Sequence, residues 1–300
     1  AEGMTSVKDP TVTPATWASY RKVLAEGALT VRVFALWLGG RTEAAARQLI
    51  TERAATSRPY ASTGDDRLVS GGVKLYIDGS GGARTAWLYE DWNRDYTGID
   101  VGNRGYPASD PDTVRHLIPL FHDSGMHVSV HSIGDRGIDW VVDSYAEAMQ
   151  ANPIKGLRHG IIHANIPSDH AIDVMAKLQR DHDAGYPEPS AAFAWWLGDA
   201  YASNFGPSRS LRLNPMRTFQ SRGVAWANGS DFPVTPFAAR YGIWAAVVRE
   251  PLLGVRGKDP FGQAESVDVH AALRAVTLGA AHQLFLEKKI GSIEVGKYAD

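Results

Sequence analysis

Three hundred residues, 44% of them hydrophobic and 21% charged, suit one large domain or two small ones with a substantial core. A formal net charge of −2 without a long basic run excludes the electrostatic footprint of a nucleic-acid binder, and no apolar run approaches a membrane span. With no cysteine, disulfides, thiolate zinc sites and cysteine nucleophiles are excluded as well. Cysteine usage does not fix the compartment. The expectation leans to the cytoplasm and keeps secretion open, because the chain starts mid-pattern at Gly3-Met4-Thr5-Ser6-Val7 and stops at Gly296-Lys297-Tyr298-Ala299-Asp300. Both ends read as cut.

In chain order, Gly3 to Val7 is a strand candidate, and Thr13-Pro14 gives an N-cap with proline at the first helical position, ahead of Trp17, Tyr20, Val23 and Leu24 at helical spacing. Leu29 to Leu38, dense in β-branched and aromatic residues, reads as a second strand. Thr42 caps a helix that fades before Arg58-Pro59, and Gly72 to Asp78 is a third strand. The connection from Gly79 to about Ser109 is long for a compact domain, and its Tyr and Trp residues favour a functional loop. Asp110-Pro111 opens a helix closed by Gly125. The stretch Met126 to Asp135 follows, a short strand that carries His131 at its C-terminal end and turns through Gly134 into a helix from Asp135 to Met149. Leu157 to His163 is the next strand, Asp169 to Leu178 the next helix, and Ser190 to Ala194 a weaker strand. A helix then starts at Asn214-Pro215, Val224 to Gly229 is a strand running into Ser230-Asp231, and a last helix spans Asp268 to Phe285.

Strands alternating with helices imply a parallel sheet with helical crossovers. Seven strands are counted, and polar residues stand at the C-terminal ends of four of them, the end where α/β barrels and open α/β sheets place their chemistry. Closure of a barrel takes eight, so the first strand is expected to be missing.

Side chains alternate along a strand, so His127, Ser129 and His131 share one face of theirs, opposite Val128 and Val130. A buried imidazole needs hydrogen-bond partners or a metal. Lys74 and Tyr76 share a face opposite Val73, Leu75 and Ile77, which points Lys74 inward. A buried lysine is either one half of a structural ion pair or an amine that can be carboxylated to bridge metals. His159 and His163 share a face, and Asp231 follows the small residues Ala225, Ala227 and Gly229 at what would be the mouth of a cavity. An aspartate there also suits a turn or a helix cap. Lys74, His131, His163 and Asp231 together are ligand types for a zinc-like ion, and Asp231 can double as a base. His116, His122, His170, His182, His270 and His282 lie on or near helices and read as packing or solvated. Gly79-Ser80-Gly81-Gly82 lacks a following helix N-terminus to make a phosphate cradle. Trp195-Trp196 reads as packing.

Four ordered motifs resemble the amidohydrolase superfamily: Val73-Lys74-Leu75-Tyr76-Ile77-Asp78-Gly79-Ser80, Val130-His131-Ser132-Ile133-Gly134-Asp135, Arg158-His159-Gly160-Ile161-Ile162-His163-Ala164 and Gly229-Ser230-Asp231-Phe232-Pro233. The nearest branch is amidohydrolase family 3, which contains N-substituted formamide deformylases. The resemblance implies a (β/α)₈ TIM-type barrel with one or two divalent metal ions, zinc first among them, at its C-terminal mouth. By position it implies Lys74, carboxylated, with His131, His163 and Asp231 as metal ligands, and Asp231 as the group that handles the proton of the attacking water. His159, Tyr76 and Asp78 are implied more weakly as support for those ligands or as substrate contacts.

The family's first-strand His-x-His pair has no counterpart here, and Gly3 to Val7 looks like the family's second strand. The expected organisation is therefore a barrel of strands two to eight over 1–287, with 288–300 opening a C-terminal β-sandwich. A separate N-terminal chain, or a homo-oligomer, would complete the barrel. The expected reaction is metal-dependent hydrolysis of a non-peptide carbon–nitrogen bond in a small molecule. The rivals are deamination or cyclic-amide opening on the same scaffold, a glycosidase barrel suggested by nine tryptophans, and an inactive fragment that binds a partner.

Overall fold

The computed structural model describes residues 2–57, 62–95 and 98–300. Its main sheet has six parallel strands: β1 (Ser6–Val12), β2 (Arg32–Leu38), β3 (Leu68–Tyr76), β6 (His127–Ser132), β7 (Gly160–His163) and β8 (Tyr186–Glu188), adjacent in that order. A small antiparallel pair, β4 (Asn93–Asp95) and β5 (Gly98–Ile99), lies within the long connection after β3. Helices α1 (Pro14–Ala25), α2 (Glu43–Arg53), α3 (Pro111–Asp123), α4 (Asp135–Ala151) and α5 (Asp169–His182) supply crossovers between the strands. After β8 come α6 (Ala192–Trp196), α7 (Gly198–Ser210), α8 (Met216–Ser221), α9 (Ala239–Val248), α10 (Val269–Val276) and α11 (Leu278–Gln283).

The helix starts follow local chemistry. Thr13, Thr42, Asp110, Ser168 and Asp268 each accept a backbone N–H of the first turn through a side-chain oxygen, removing one of the donors a helix leaves orphaned. The outward aliphatic residues Val73, Leu75, Val128, Val130 and Ile161 share one buried core with Val114, Leu117, Phe121, Val141, Val142 and Tyr145 of α3 and α4. That burial sets the register of β3, β6 and β7, because a slip of one residue would turn their apolar faces inward.

The sheet is rolled into a half-barrel. Six strands leave five inter-strand steps, about 24 Å at ~4.8 Å per step in a flat sheet. Yet Lys8 on β1 and Glu188 on β8, the two edge strands, are 2.6 Å apart. Only curvature lets the edges reach each other across the concave face. Below, Phe34, Leu36 and Val69 close the concave side against Leu284, Phe285, Leu286 and Ile290 at the end of α11.

Several expectations are corrected. The first strand runs from Ser6 to Val12, through Pro10, which β1 tolerates as an edge strand. Ser190 to Ala194 is no strand; Ala192 already starts α6, and the sixth strand is the earlier Tyr186-Pro187-Glu188. Val224 to Gly229 forms no strand of the sheet, although Ala227 N and Gly229 N donate to Pro187 O and Pro189 O at 3.4 and 3.1 Å, a parallel-like pairing. The last helix breaks at Thr277 (φ −119°, ψ −92°). Helix α2 ends at Arg53, and Arg58-Pro59 lie outside the described residues. Of the seven strands expected for a barrel lacking its first, six are formed among the described residues, as a half-barrel. No helix among them is long and apolar enough to cross a membrane.

Candidate active site

Lys74 rises from the middle of the concave face. Its side chain is 2% exposed and makes no hydrogen bond or ion pair with a described residue, although its ammonium lies 4.7 Å above the ring of Tyr76. Burial pushes its pKa down to about 7, against the attraction of the Glu188 and Asp231 carboxylates. An amine so placed can be neutral near physiological pH, the condition for reaction with carbon dioxide.

His131 stands at the end of the neighbouring strand, in register with Tyr76, and the two rings lie 5.3 Å apart. Its Nε2 donates to Gly79 O (2.8 Å), which leaves Nδ1 as the nitrogen for a metal. His163 follows on β7, and its ring centroid is 4.7 Å from that of His131, nearly perpendicular to it. Its Nδ1 meets Ser190 Oγ at 3.3 Å and its ring stacks on Phe193. Burial and the Lys74 charge depress both imidazoles, His131 to about 4 and His163 well below its ordinary value, with His131 adding to the effect at His163. Both are neutral at pH 7, the form that ligates metal.

Asp231 ends the extended segment after α8. Burial raises its carboxyl, and Lys74 opposes the rise. Nothing lies within 4 Å of where a Cβ on Gly229 would stand, so the space beside Asp231 is open, whereas Ala225 lies exposed at the start of the segment rather than inside. His163 (φ +78°), Ala164 (φ +41°) and Asp231 (φ +55°) all hold left-handed backbone, which disfavours side chains with a Cβ and collects at functional sites.

Asp78 is a clamp. It is 1% exposed and accepts N–H bonds from Trp87 (3.0 Å), Ile133 (3.0 Å) and Gly134 (2.8 Å), tying the end of β3 to the long loop and to the turn between β6 and α4. Burial raises its carboxyl to about 7 against those same bonds, and Oδ1 stands 3.7 Å from His131 Nε2. Tyr76 bonds Thr11 Oγ1 (3.1 Å) across the mouth.

His159 does not belong to this group. It turns to the helices, where Nε2 pairs with His122 Nδ1 (3.0 Å) and Nδ1 accepts from Val128 N (3.1 Å), beside the Tyr145 ring. Strict alternation puts His159 and His163 on one face, but the left-handed backbone at His163 re-aims the second ring. His122 is itself fully buried, with Nε2 on Asn152 O. The glycine run after Asp78 is no cradle: Asn204 Nδ2 occupies Gly81 O and Gly82 O, and Thr85 Oγ1 crowds Gly79. Trp195 packs on Trp196, Tyr241 and Trp244.

Beneath the mouth lies a layer that sequence reasoning missed. Lys8 Nζ donates to Glu188 (2.6 Å) and Ser129 Oγ (3.0 Å), Ser129 donates to Glu188 (3.2 Å), and His127 Nε2 meets Ser129 Oγ at 2.9 Å. Gly160 makes room for it, since a Cβ there would come within 2.2 Å of Glu188 Oε1. Lys8 falls just beyond the strand candidate Gly3 to Val7, and Glu188, between two prolines, resembled a loop residue.

Among the described residues, no three His, Asp or Glu groups are drawn together as a ready metal site. The donors that do converge are two imidazoles, with Lys74 acting electrostatically on both and on Asp231.

The model of the amidohydrolase family matches residues 1–300. The protein YtcJ of Bacillus subtilis is 29% identical over 231 residues, 77% of this chain and 41% of the relative. An N-substituted formamide deformylase of Arthrobacter pascens is 28% identical over 305 residues, covering 100% of this chain and 52% of that protein. The chain thus spans about half, or less, of these relatives. The crystal structure of an uncharacterized metal-dependent hydrolase from Pyrococcus furiosus superposes with a TM-score of 0.77 at 24% identity, over 99% of this chain and 55% of that one.

Proposed function

Because the chain belongs to the amidohydrolase family, we propose that it is a metal-dependent hydrolase cleaving a non-peptide carbon–nitrogen bond, of amide or formamide type, in a small molecule. The observation that carries this reading is the pair of neutral imidazoles, His131 and His163, 4.7 Å apart between ring centroids, beside a buried lysine that forms no ion pair or hydrogen bond with a described residue. His131, His163, Asp231 and a carboxylated Lys74 would hold one divalent ion, zinc suiting a mixed nitrogen and oxygen set. That ion would make water acidic enough to ionise near neutral pH and would polarise the scissile carbonyl.

The chain's own groups do the rest. Asp231 takes a proton from the attacking water and returns it to the leaving amine, and its burial keeps its basicity above that of a surface aspartate. Asp78 holds the ends of β3 and β6 at fixed separation, so Lys74 and His131 stay aligned. Ser190 orients His163.

The 300 residues hold no His-x-His pair. The edge of β1, which among the described strands pairs only with β2, is open to a strand from a partner or a second copy. One observation favours a second reading, a non-catalytic barrel fragment that binds such a partner: among the described residues no three His, Asp or Glu groups assemble unaided. Asp231→Asn separates the two. Amine release from a panel of formamides and amides by the purified protein, falling at least about a thousandfold in the variant, supports the hydrolase. Absence of turnover by both, with metal supplied, supports the binder.

A further inference from the structure

The ends of β1, β2 and β3 line a cavity of ≈ 270 Å³ that reaches Lys74 and Tyr76 at its inner end and whose outer residue, Arg41, the steps above leave without a role. Its side-chain wall comes from Thr11, Leu38, Arg41, Lys74, Tyr76 and Ser109 among others. Arg41 is its permanently charged member, three others carry hydroxyls, and no Asp or Glu lines it. A tight turn places the backbone of Arg41 at the cavity's outer rim, where the residue is exposed: Gly40 has φ +79°, and a Cβ on Gly39 would come within 2.6 Å of Leu75 Cδ2. Around it the basic side chains are engaged, Arg47 and His116 with Glu43 and Arg53 over the Trp37 ring. Arg41 forms no ion pair or hydrogen bond with a described residue. Lys74, at the inner end of the same cavity, is buried and equally without one.

A small space lined by the Arg41 guanidinium and three hydroxyls, with Leu38 half-exposed beside them, suits an anion on a short carbon chain. A planar guanidinium matches a carboxylate at two points, which a solvated lysine does not. We propose that Arg41 forms a subsite for a carboxylate substituent on the substrate, so that the molecules accepted here are small amides bearing an acid group. The word substrate rests on the hydrolase reading; the anion subsite does not.

The test compares N-formylglycine with its neutral counterpart N-(2-hydroxyethyl)formamide. Calorimetric affinities for both are measured on the purified wild type, Arg41→Met and Arg41→Lys, after thermal unfolding has shown that all three are equally folded. Loss of one charge-assisted contact predicts that the preference for the acid over the neutral probe falls about 10-fold to 100-fold in Arg41→Met, with Arg41→Lys between. The same preference in all three proteins, equal weakening of both probes, or no binding of either probe to the wild type would each overturn the subsite. Formate release is scored separately. An Arg41-dependent preference without turnover sinks the hydrolase reading and keeps the subsite, and turnover without the preference does the reverse.

Discussion

Replacing Lys8 by methionine tests the rolled sheet. The Lys8–Glu188 pair joins the first and last strands at 2.6 Å, with side chains only 13% and 14% exposed. Deleting the cation leaves Glu188 with Ser129 as its hydrogen-bond donor in a place that water barely reaches. Breaking one partner of such a pair costs about 3 kcal/mol, while replacing both by apolar groups of similar volume is often near neutral. The single variant Lys8→Met should therefore lose about 3 kcal/mol in urea unfolding, and Lys8→Met/Glu188→Met should regain at least about 2 kcal/mol of it. The expected cycle is strongly non-additive. Additive single effects, or a Lys8→Met loss under about 0.5 kcal/mol, would mean that the two edge strands do not meet, and the half-barrel as described would be wrong.

Gly160→Ala should destabilise the same layer by about 1–3 kcal/mol through overpacking against Glu188 and Ser129, read as a lower urea midpoint; an unchanged midpoint would contradict the crowding. Thr42→Ala should cost about 1 kcal/mol by removing the acceptor for Ala45 N, measurable in the same assay. At Asp183, burial alone would raise the carboxyl, but hydrogen bonds from His282 and Tyr186 and the Arg158 charge overcome it and hold the pKa well below the ordinary range. A depressed folded pKa stabilises above the unfolded value of about 4 and loses that contribution as pH falls through the folded one. The melting temperature of the wild type should thus fall more steeply below about pH 4 than that of Asp183→Asn, and parallel curves would refute the linkage.

Much of the scaffold could be read from residues with strong local meaning. Thr13-Pro14, Thr42 and Asp110-Pro111 cap helices where their chemistry says they should. The alternation in His127-Val128-Ser129-Val130-His131 gave both faces of β6, because helices cover one and the barrel interior the other. What stayed hidden depends on long-range geometry. The strand Tyr186-Pro187-Glu188 is short and proline-bearing, and only its place beside β7 makes it a strand. Helix α7 contains Gly206 (φ +77°) and Pro207, and α9 is apolar around much of its surface, so neither shows a clean helical period. His159 and His163 were separable only by the backbone twist at His163. Lys74 was legible as an inward lysine, but that no described residue pairs with it was not, since that depends on how the sheet rolls.

The most direct test of a metal held by this rim is elemental analysis of the purified chain beside a His131→Ala/His163→Ala variant of equal thermal stability. About one divalent ion per wild-type chain, lost in the variant, is the result expected from imidazole ligation. Metal-free wild type after dialysis against zinc, or metal kept in full by the variant, would contradict the account.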